Sequence, residues 1–225
     1  MIFVTGGSAS GKSGYAGKLA ERLAEGLSEE KILYIATLAD RSEESVQRVE
    51  RHRELRRSGN YEVAECFSLE ELRRLANREG EYVENDPCDR EMEQEPVRYG
   101  VILFDSLDGF TADVLFGAGE DSLPTQEPER LAEETANALM SLKAVSDVLI
   151  VVSDALYSDG VRYDETTRRY MRYTALSEQL LAEEADHVVE VVCGIPLLLK
   201  GKNHESLQIA DYNAVAVYED SHALD

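Results

Sequence analysis

The sequence predicts an α/β fold: a mostly parallel central sheet flanked by helices, with a small C-terminal hairpin. Three observations predict it. Short apolar runs of strand length recur along the chain and alternate with helix-length segments that carry one-sided apolar stripes. The 225 residues suit one domain of ordinary size, long enough to bury a core without disulfides or a structural metal. Hydrophobic residues at 43% and charged residues at 30% belong to a folded chain, not a disordered one.

The strand-like runs are Ile2–Thr5, Ile32–Thr37, Tyr61–Cys66, Val101–Asp105, Val148–Val152 and His187–Cys193. Between the first two, Tyr15, Leu19 and Leu23 recur at i, i+4 with Ala16 and Ala20 beside them, which is one stripe of a helix. Further helical patterns cover Glu43–Arg57, Leu69–Ala76, Ser106–Phe116, Pro128–Ala144 and Thr166–Glu184. Gly194-Ile195-Pro196 reads as a tight turn into a last hairpin strand, Leu197–Lys200. Glu79 to Pro96, with eight acidic residues and the single base Arg90, reads as a solvated insertion, and Gly117 to Pro128 as a loop. The strand pattern resumes after each, so residues 1–200 form one expected domain and 201–225 a C-terminal extension.

Lys plus Arg is 23 against 45 Asp plus Glu, a net charge of −22. A field that negative repels phosphate backbones and anionic lipid, which argues against nucleic acid and membrane surfaces as partners. Cys66, Cys88 and Cys193 are odd in number and widely spaced, as in a reducing compartment. No secretory leader pattern or run of membrane-spanning length occurs, so the expected location is the cytoplasm.

One motif carries chemistry by itself. Gly6-Gly7-Ser8-Ala9-Ser10-Gly11-Lys12-Ser13 matches G-x-x-x-x-G-K-[ST] in full, after a strand and before an amphipathic helix. Its glycines let backbone N–H groups turn inward around a phosphate chain where a Cβ would collide. Lys12 supplies charge to the β- and γ-oxygens, and the Ser13 hydroxyl is a Mg²⁺ ligand of the right kind. The fold expectation thereby sharpens to a P-loop NTPase-like domain that binds a nucleotide and Mg²⁺.

Such a site needs a second carboxylate for the metal at the end of another apolar strand, and Asp105 ends Val101–Asp105. The same position suits a helix N-cap, and the residues alone leave both open. Arg48, Arg51, Arg53, Arg56 and Arg57 crowd one expected helix around His52, which Glu50 and Glu54 flank. That pattern fits an exposed helix laced with ion pairs, or a histidine nucleophile for phosphorus among phosphate-binding arginines. His187, His204 and His222 read as structural or solvent-exposed.

From Ile2 to about Lys200 the chain resembles the bifunctional adenosylcobinamide kinase / adenosylcobinamide-phosphate guanylyltransferase family of cobalamin biosynthesis. The resemblance rests on the joint order of several pieces. They are Val4-Thr5-Gly6-Gly7 leading to Ser10-Gly11-Lys12-Ser13, Leu33-Tyr34-Ile35-Ala36-Thr37, and Arg48-Val49 with His52 and Arg56. Ala64-Glu65, the strand ending in Asp105, Arg169 with Arg172, Ala185-Asp186, and Val192 with Gly194-Ile195-Pro196 follow. The resemblance implies a kinase step on the aminopropanol hydroxyl of adenosylcobinamide. It also implies transfer of GMP from GTP to the new phosphate through a GMP–histidine intermediate, with His52 as nucleophile. ATP and GTP would be substrates, Mg²⁺ the metal held by Ser13 and Asp105, and the assembly a homo-oligomer. The implied nucleotide contacts are Gly6 through Ser13, Ala36, Thr37, Leu38, Arg53, Glu54, Leu55, Arg56, Glu65 and Asp105, with Lys12 and His52 catalytic.

Three positions depart from the family pattern. Ala9 stands where the family usually has arginine, and Arg172-Tyr173 replaces an Arg-Asp pair. The family's Asn-Glu-Val-Gly appears as Asp154-Ala155-Leu156-Tyr157, which removes a glutamate at a strand's C-terminal end, where α/β proteins place substrates. Two other readings of the motifs are a small-molecule kinase without guanylyl transfer and a degenerate nucleotide-binding regulatory module. The intact Lys12-Ser13 pair argues against degeneracy, and no Asn-Lys-x-Asp motif supports a signalling GTPase.

Overall fold

The computed structural model describes residues 1–37, 61–77, 98–117, 124, 126–156, 161–203 and 205–207. Among these, β1 (Ile2–Gly6) leads to α1 (Lys12–Ala24), β2 (Ile32–Ala36), β3 (Tyr61–Glu65) and α2 (Leu69–Ala76). Then come β4 (Tyr99–Asp105), α3 (Leu107–Phe116), α4 (Pro128–Ser141) and β5 (Ser146–Asp154). The chain closes with α5 (Glu165–Glu184), β6 (His187–Val192) and β7 (Ile195–Lys200), and a 3-10 turn at Glu205–Leu207. The expected helix Glu43–Arg57, the acidic stretch Glu79–Pro96 and Cys88 lie outside the described residues.

The strands form one sheet in the order β3-β2-β4-β5-β1-β6-β7, parallel throughout except for β7, which runs antiparallel to β6. The fold is the α/β architecture the sequence predicts. All but the last residue of β4 are buried, because a central strand covered on both faces reads as a continuous apolar run. Side chains alternate between two cores. Phe3, Leu33, Ile35, Ile102, Phe104 and Val151 face α2, α3, α4 and α5, whereas Ile2, Val4, Tyr34, Leu103, Ile150 and Val152 face α1. Each fully buried aliphatic or aromatic side chain contributes about 1.5–3 kcal/mol. Leu207 joins the α1 core and accepts a 2.8 Å hydrogen bond from Tyr15 at its carbonyl, so the chain lies against the domain again at this residue.

Local chemistry sets the helix starts. Ser68 caps α2 by accepting from the Glu71 N–H, and Asp164 caps α5 by accepting from the Thr167 N–H. Pro128 opens α4, where its missing N–H costs nothing. One expectation needs correcting. The hairpin turn is Cys193-Gly194, not Gly194-Ile195-Pro196, because both residues adopt positive φ (50° and 82°). Two consecutive left-handed residues close a two-residue hairpin, so β6 stops at Val192 and Ile195 already pairs with it.

The connections place the site. From β1 the chain crosses by α1 to β2 on one side of the sheet, whereas from β5 it crosses by α5 to β6 on the other side. Neighbouring strands that leave in opposite directions open a crevice at their carboxyl ends, where α/β folds bind ligands. Here that crevice lies between Gly6 and Asp154, which are paired in register. Among the described residues, no helix is long and apolar enough to cross a membrane.

Candidate functional site

The loop between β1 and α1 is built to leave room for a phosphate chain. A Cβ on Gly6 would sit 2.5 Å from the Val191 carbonyl oxygen and 2.7 Å from Ser10 Oγ, so only glycine fits there. Gly11 caps α1 at φ 93°, a conformation that side chains resist, and its carbonyl takes the Tyr15 N–H at 2.9 Å. Gly7 faces open space, so the collision argument holds for Gly6 and not for it. The loop is pinned by the Ser10 N–H donating to Gly7 at 3.1 Å and by the Gly194 N–H donating to the Ser10 carbonyl at 2.8 Å. Gly7, Ser8 and Ala9 form an exposed apex. Ser10 Oγ is buried with no hydrogen-bond partner among the described residues, a donor left for a ligand oxygen.

Lys12 lies in the first turn of α1 and is buried; its ammonium forms an ion pair with the Asp154 carboxylate at the end of β5. Ser13 Oγ donates to Asp105 Oδ1 at 3.3 Å, and the buried Tyr34 hydroxyl donates to Asp105 Oδ2 at 3.0 Å. The strand register makes this possible, because Tyr34 and Ala36 on β2 lie opposite Leu103 and Asp105 on β4. Asp105 does not cap α3. Ser106 does, by accepting from the Gly109 N–H, which frees the Asp105 carboxylate for the site.

Around that carboxylate the backbone is tied on both sides. Thr37 Oγ1 donates to the Ser106 carbonyl at 2.6 Å and accepts from the Ser106 N–H at 2.8 Å. On α3, Asp108 Oδ1 accepts from the Asp154 N–H at 3.0 Å and fixes the end of β5. Cys66 donates its N–H to the Ala36 carbonyl, and burial pushes its thiol up to about 12, so it stays neutral and is no nucleophile.

The fold therefore brings together Gly6, Ser10, Gly11, Lys12, Ser13 and Asp105, with Ala36 and Thr37 at the adjoining end of β2. Glu65 ends β3, exposed and in register with Ala36, at the far rim of the same edge. Leu38, His52, Arg53, Glu54, Leu55 and Arg56 lie outside the described residues, as do His204 and His222. The donor set fits Mg²⁺. A hydroxyl and a carboxylate oxygen lie side by side next to a phosphate cradle, and Mg²⁺ in such sites takes one or two protein oxygens plus substrate phosphates. Among the described residues there is no cluster of three His, Cys, Asp or Glu that would form a cage by itself.

Sequence reasoning missed Tyr34, Asp108 and the site role of Asp154. Asp154 had a readable signal, since it lies two residues past the apolar run Val148–Val152. Of the three departures from the family pattern, Tyr173 is accounted for by packing: it is fully buried, and its hydroxyl meets Thr135 Oγ1 at 2.5 Å.

The family model for cobinamide kinase / cobinamide phosphate guanyltransferase matches residues 2–199. The bifunctional adenosylcobalamin biosynthesis protein CobP of Pseudomonas aeruginosa is 29% identical over 201 residues, spanning 88% of this chain and 96% of that protein. Among solved structures, a KaiC-like protein of the hyperthermophilic archaeon Pyrococcus horikoshii aligns with a TM-score of 0.46 and 14% identity. That alignment covers 84% of this chain and 69% of the other.

Proposed function

The chain belongs to the cobinamide kinase / cobinamide phosphate guanyltransferase family, and from that premise we propose that it performs both reactions in cobalamin biosynthesis. It phosphorylates the aminopropanol hydroxyl of adenosylcobinamide with a nucleoside triphosphate, then transfers GMP from GTP to the new phosphate. The observation that carries the reading is the convergence of Lys12, Ser13 and Asp105 on the phosphate loop at the carboxyl edge of the sheet.

The division of labour follows from the side chains. Backbone N–H groups of the loop and the N-terminal end of α1 surround the β-phosphate, and Lys12 carries the charge toward the γ-phosphoryl. Ser13 and Asp105 would hold Mg²⁺, which when bound neutralises charge on the β- and γ-oxygens. Phosphoryl transfer then needs positioning more than covalent help. Guanylyl transfer does need a nucleophile at the α-phosphorus, and His52 fills that role. A neutral imidazole attacks, and the resulting phosphoramidate leaves easily once its other nitrogen is protonated.

GTP labelled at the α-phosphate tests this reading. The wild-type protein should acquire a covalent label that is stable in alkali and labile in acid, and His52→Ala should not, while still phosphorylating adenosylcobinamide. Label on the His52→Ala protein would move the nucleophile elsewhere. A wild-type protein that phosphorylates but never labels would reduce the function to the kinase alone.

A further inference from the structure

We propose that Asp154 is the general base of the kinase step, accepting the proton of the acceptor hydroxyl as that oxygen attacks the γ-phosphorus. The proposal rests on the kinase reading above and adds a residue to it. Asp154 ends β5, in register with Gly6 of the phosphate-loop strand and beside the strand that ends in Asp105, so it stands in the crevice between the two halves of the site. Its carboxylate is in contact with the Lys12 ammonium, the group that marks where the β- and γ-oxygens sit. A carboxylate there is next to the γ-phosphoryl once phosphate oxygens take over the lysine. The side chain is 22% exposed against 10% for Lys12, and its buried Oδ1 is the oxygen turned to the ammonium. Its backbone is held by the bond from the Asp154 N–H to Asp108 Oδ1, which limits how far the carboxylate can wander.

Three other carboxylates and one histidine among the described residues are committed or remote. Asp105 has Ser13 on one oxygen and Tyr34 on the other. Asp108 holds the Asp154 backbone. Glu65 sits at the rim beyond β2, and His187 begins β6 at the opposite end of the sheet, in register with Ile2.

The step balances. The hydroxyl oxygen forms a bond to the γ-phosphorus while its proton passes to Asp154. The bond from that phosphorus to the β,γ-bridging oxygen breaks, and the nucleoside diphosphate leaves with the electron pair. Asp154 then returns its proton to water. Before nucleotide arrives, the same carboxylate serves as counter-ion to Lys12, so it must be displaced on binding.

This double role gives the near-isosteric variant Asp154→Asn two effects of opposite sign. Loss of the counter-ion should leave ATP affinity equal or tighter by calorimetry. Loss of the base should slow phosphorylation of adenosylcobinamide about 10²-fold, within the range for general bases. Among the described residues, the charged groups around it are Lys12 on α1, Asp105 ending β4 and Asp108 on α3, and they remain in the variant. The acid limb of wild-type kcat/KM should therefore flatten in Asp154→Asn and persist in Asp154→Glu, which keeps a carboxylate. Phosphorylation by Asp154→Asn within about threefold of wild type would overturn the proposal and leave only the counter-ion. So would an Asp154→Glu profile without the acid limb. A wild-type protein that does not phosphorylate adenosylcobinamide would instead defeat the kinase reading itself.

Discussion

Asp105 and Asp154 are the same chemical group at the ends of adjacent strands, two residues out of step in register, yet their surroundings differ in kind. Asp105 is held by two hydroxyls, Ser13 and Tyr34, which fix its orientation without cancelling its charge. Asp154 is held by an ammonium, which does cancel it. A carboxylate oriented by neutral donors keeps its charge and geometry for a hard cation. One paired with a cation that the substrate itself needs must give that cation up, and is then free to act. On the roles proposed above, the same residue type takes two tasks according to what touches it.

Removing the shared cation is the harshest way to break this contrast. Lys12→Ala deletes the charge that faces the triphosphate and leaves Asp154 unpaired in a half-buried crevice. Truncating one partner of a buried charge pair between protein and ligand, here the ammonium and the phosphates, costs about 2–5 kcal/mol of binding, so ATP affinity should fall on the order of 10²-fold or more. The remaining carboxylate would also repel the phosphates. In calorimetry, Lys12→Ala/Asp154→Asn should therefore bind ATP more tightly than Lys12→Ala. Equal affinity in the wild-type protein and Lys12→Ala would remove the phosphate-loop assignment altogether.

The metal side is broken more gently by Asp105→Asn. An amide can still receive the Ser13 hydroxyl and meet Tyr34, and Ser106 caps α3 unaided, so the melting temperature should hardly move. The amide is a poor ligand for Mg²⁺, so the Mg²⁺ concentration giving half-maximal activity should rise about tenfold. A large drop in melting temperature with unchanged Mg²⁺ dependence would mean that Asp105 serves the fold and not the metal.

How much of this was readable beforehand follows from where the information resides. Strands buried on both faces leave apolar runs, and β1, β2 and β4 are visible for that reason. The phosphate loop is legible because backbone N–H groups can surround phosphate only with small residues at set intervals. Asp105 was found, but its neighbour Ser106 is an equally good cap. Only the single-residue offset of α3 decides which of the two faces the site. The hairpin turn was misplaced because Cys193 takes a left-handed conformation that its residue type does not announce. Tyr34 was invisible for a further reason. It lies inside an apolar run, and its role depends on the pairing of β2 with β4, two strands separated by β3 and α2 in the chain.

Tyr34 gives the finest test of the contrast, since it touches Asp105 through a single oxygen. Tyr34→Phe keeps the ring that fills the α1 core and removes only the hydroxyl that donates to Asp105 Oδ2. A hydrogen bond to a charged group contributes about 1.5–3 kcal/mol, part of which water or rotation of the carboxylate recovers. Without that donor, no other described residue on the β2 side holds Oδ1 toward Ser13, and the metal must organise the carboxylate as it binds. The apparent Mg²⁺ constant should rise about threefold to tenfold while kcat at saturating Mg²⁺ stays near wild type. In an Asp105→Asn background the same change should add almost nothing, because there is no carboxylate left to orient. Equal effects of Tyr34→Phe in both backgrounds would show that the tyrosine acts on the core alone, and that Asp105 is held by Ser13 without help from β2.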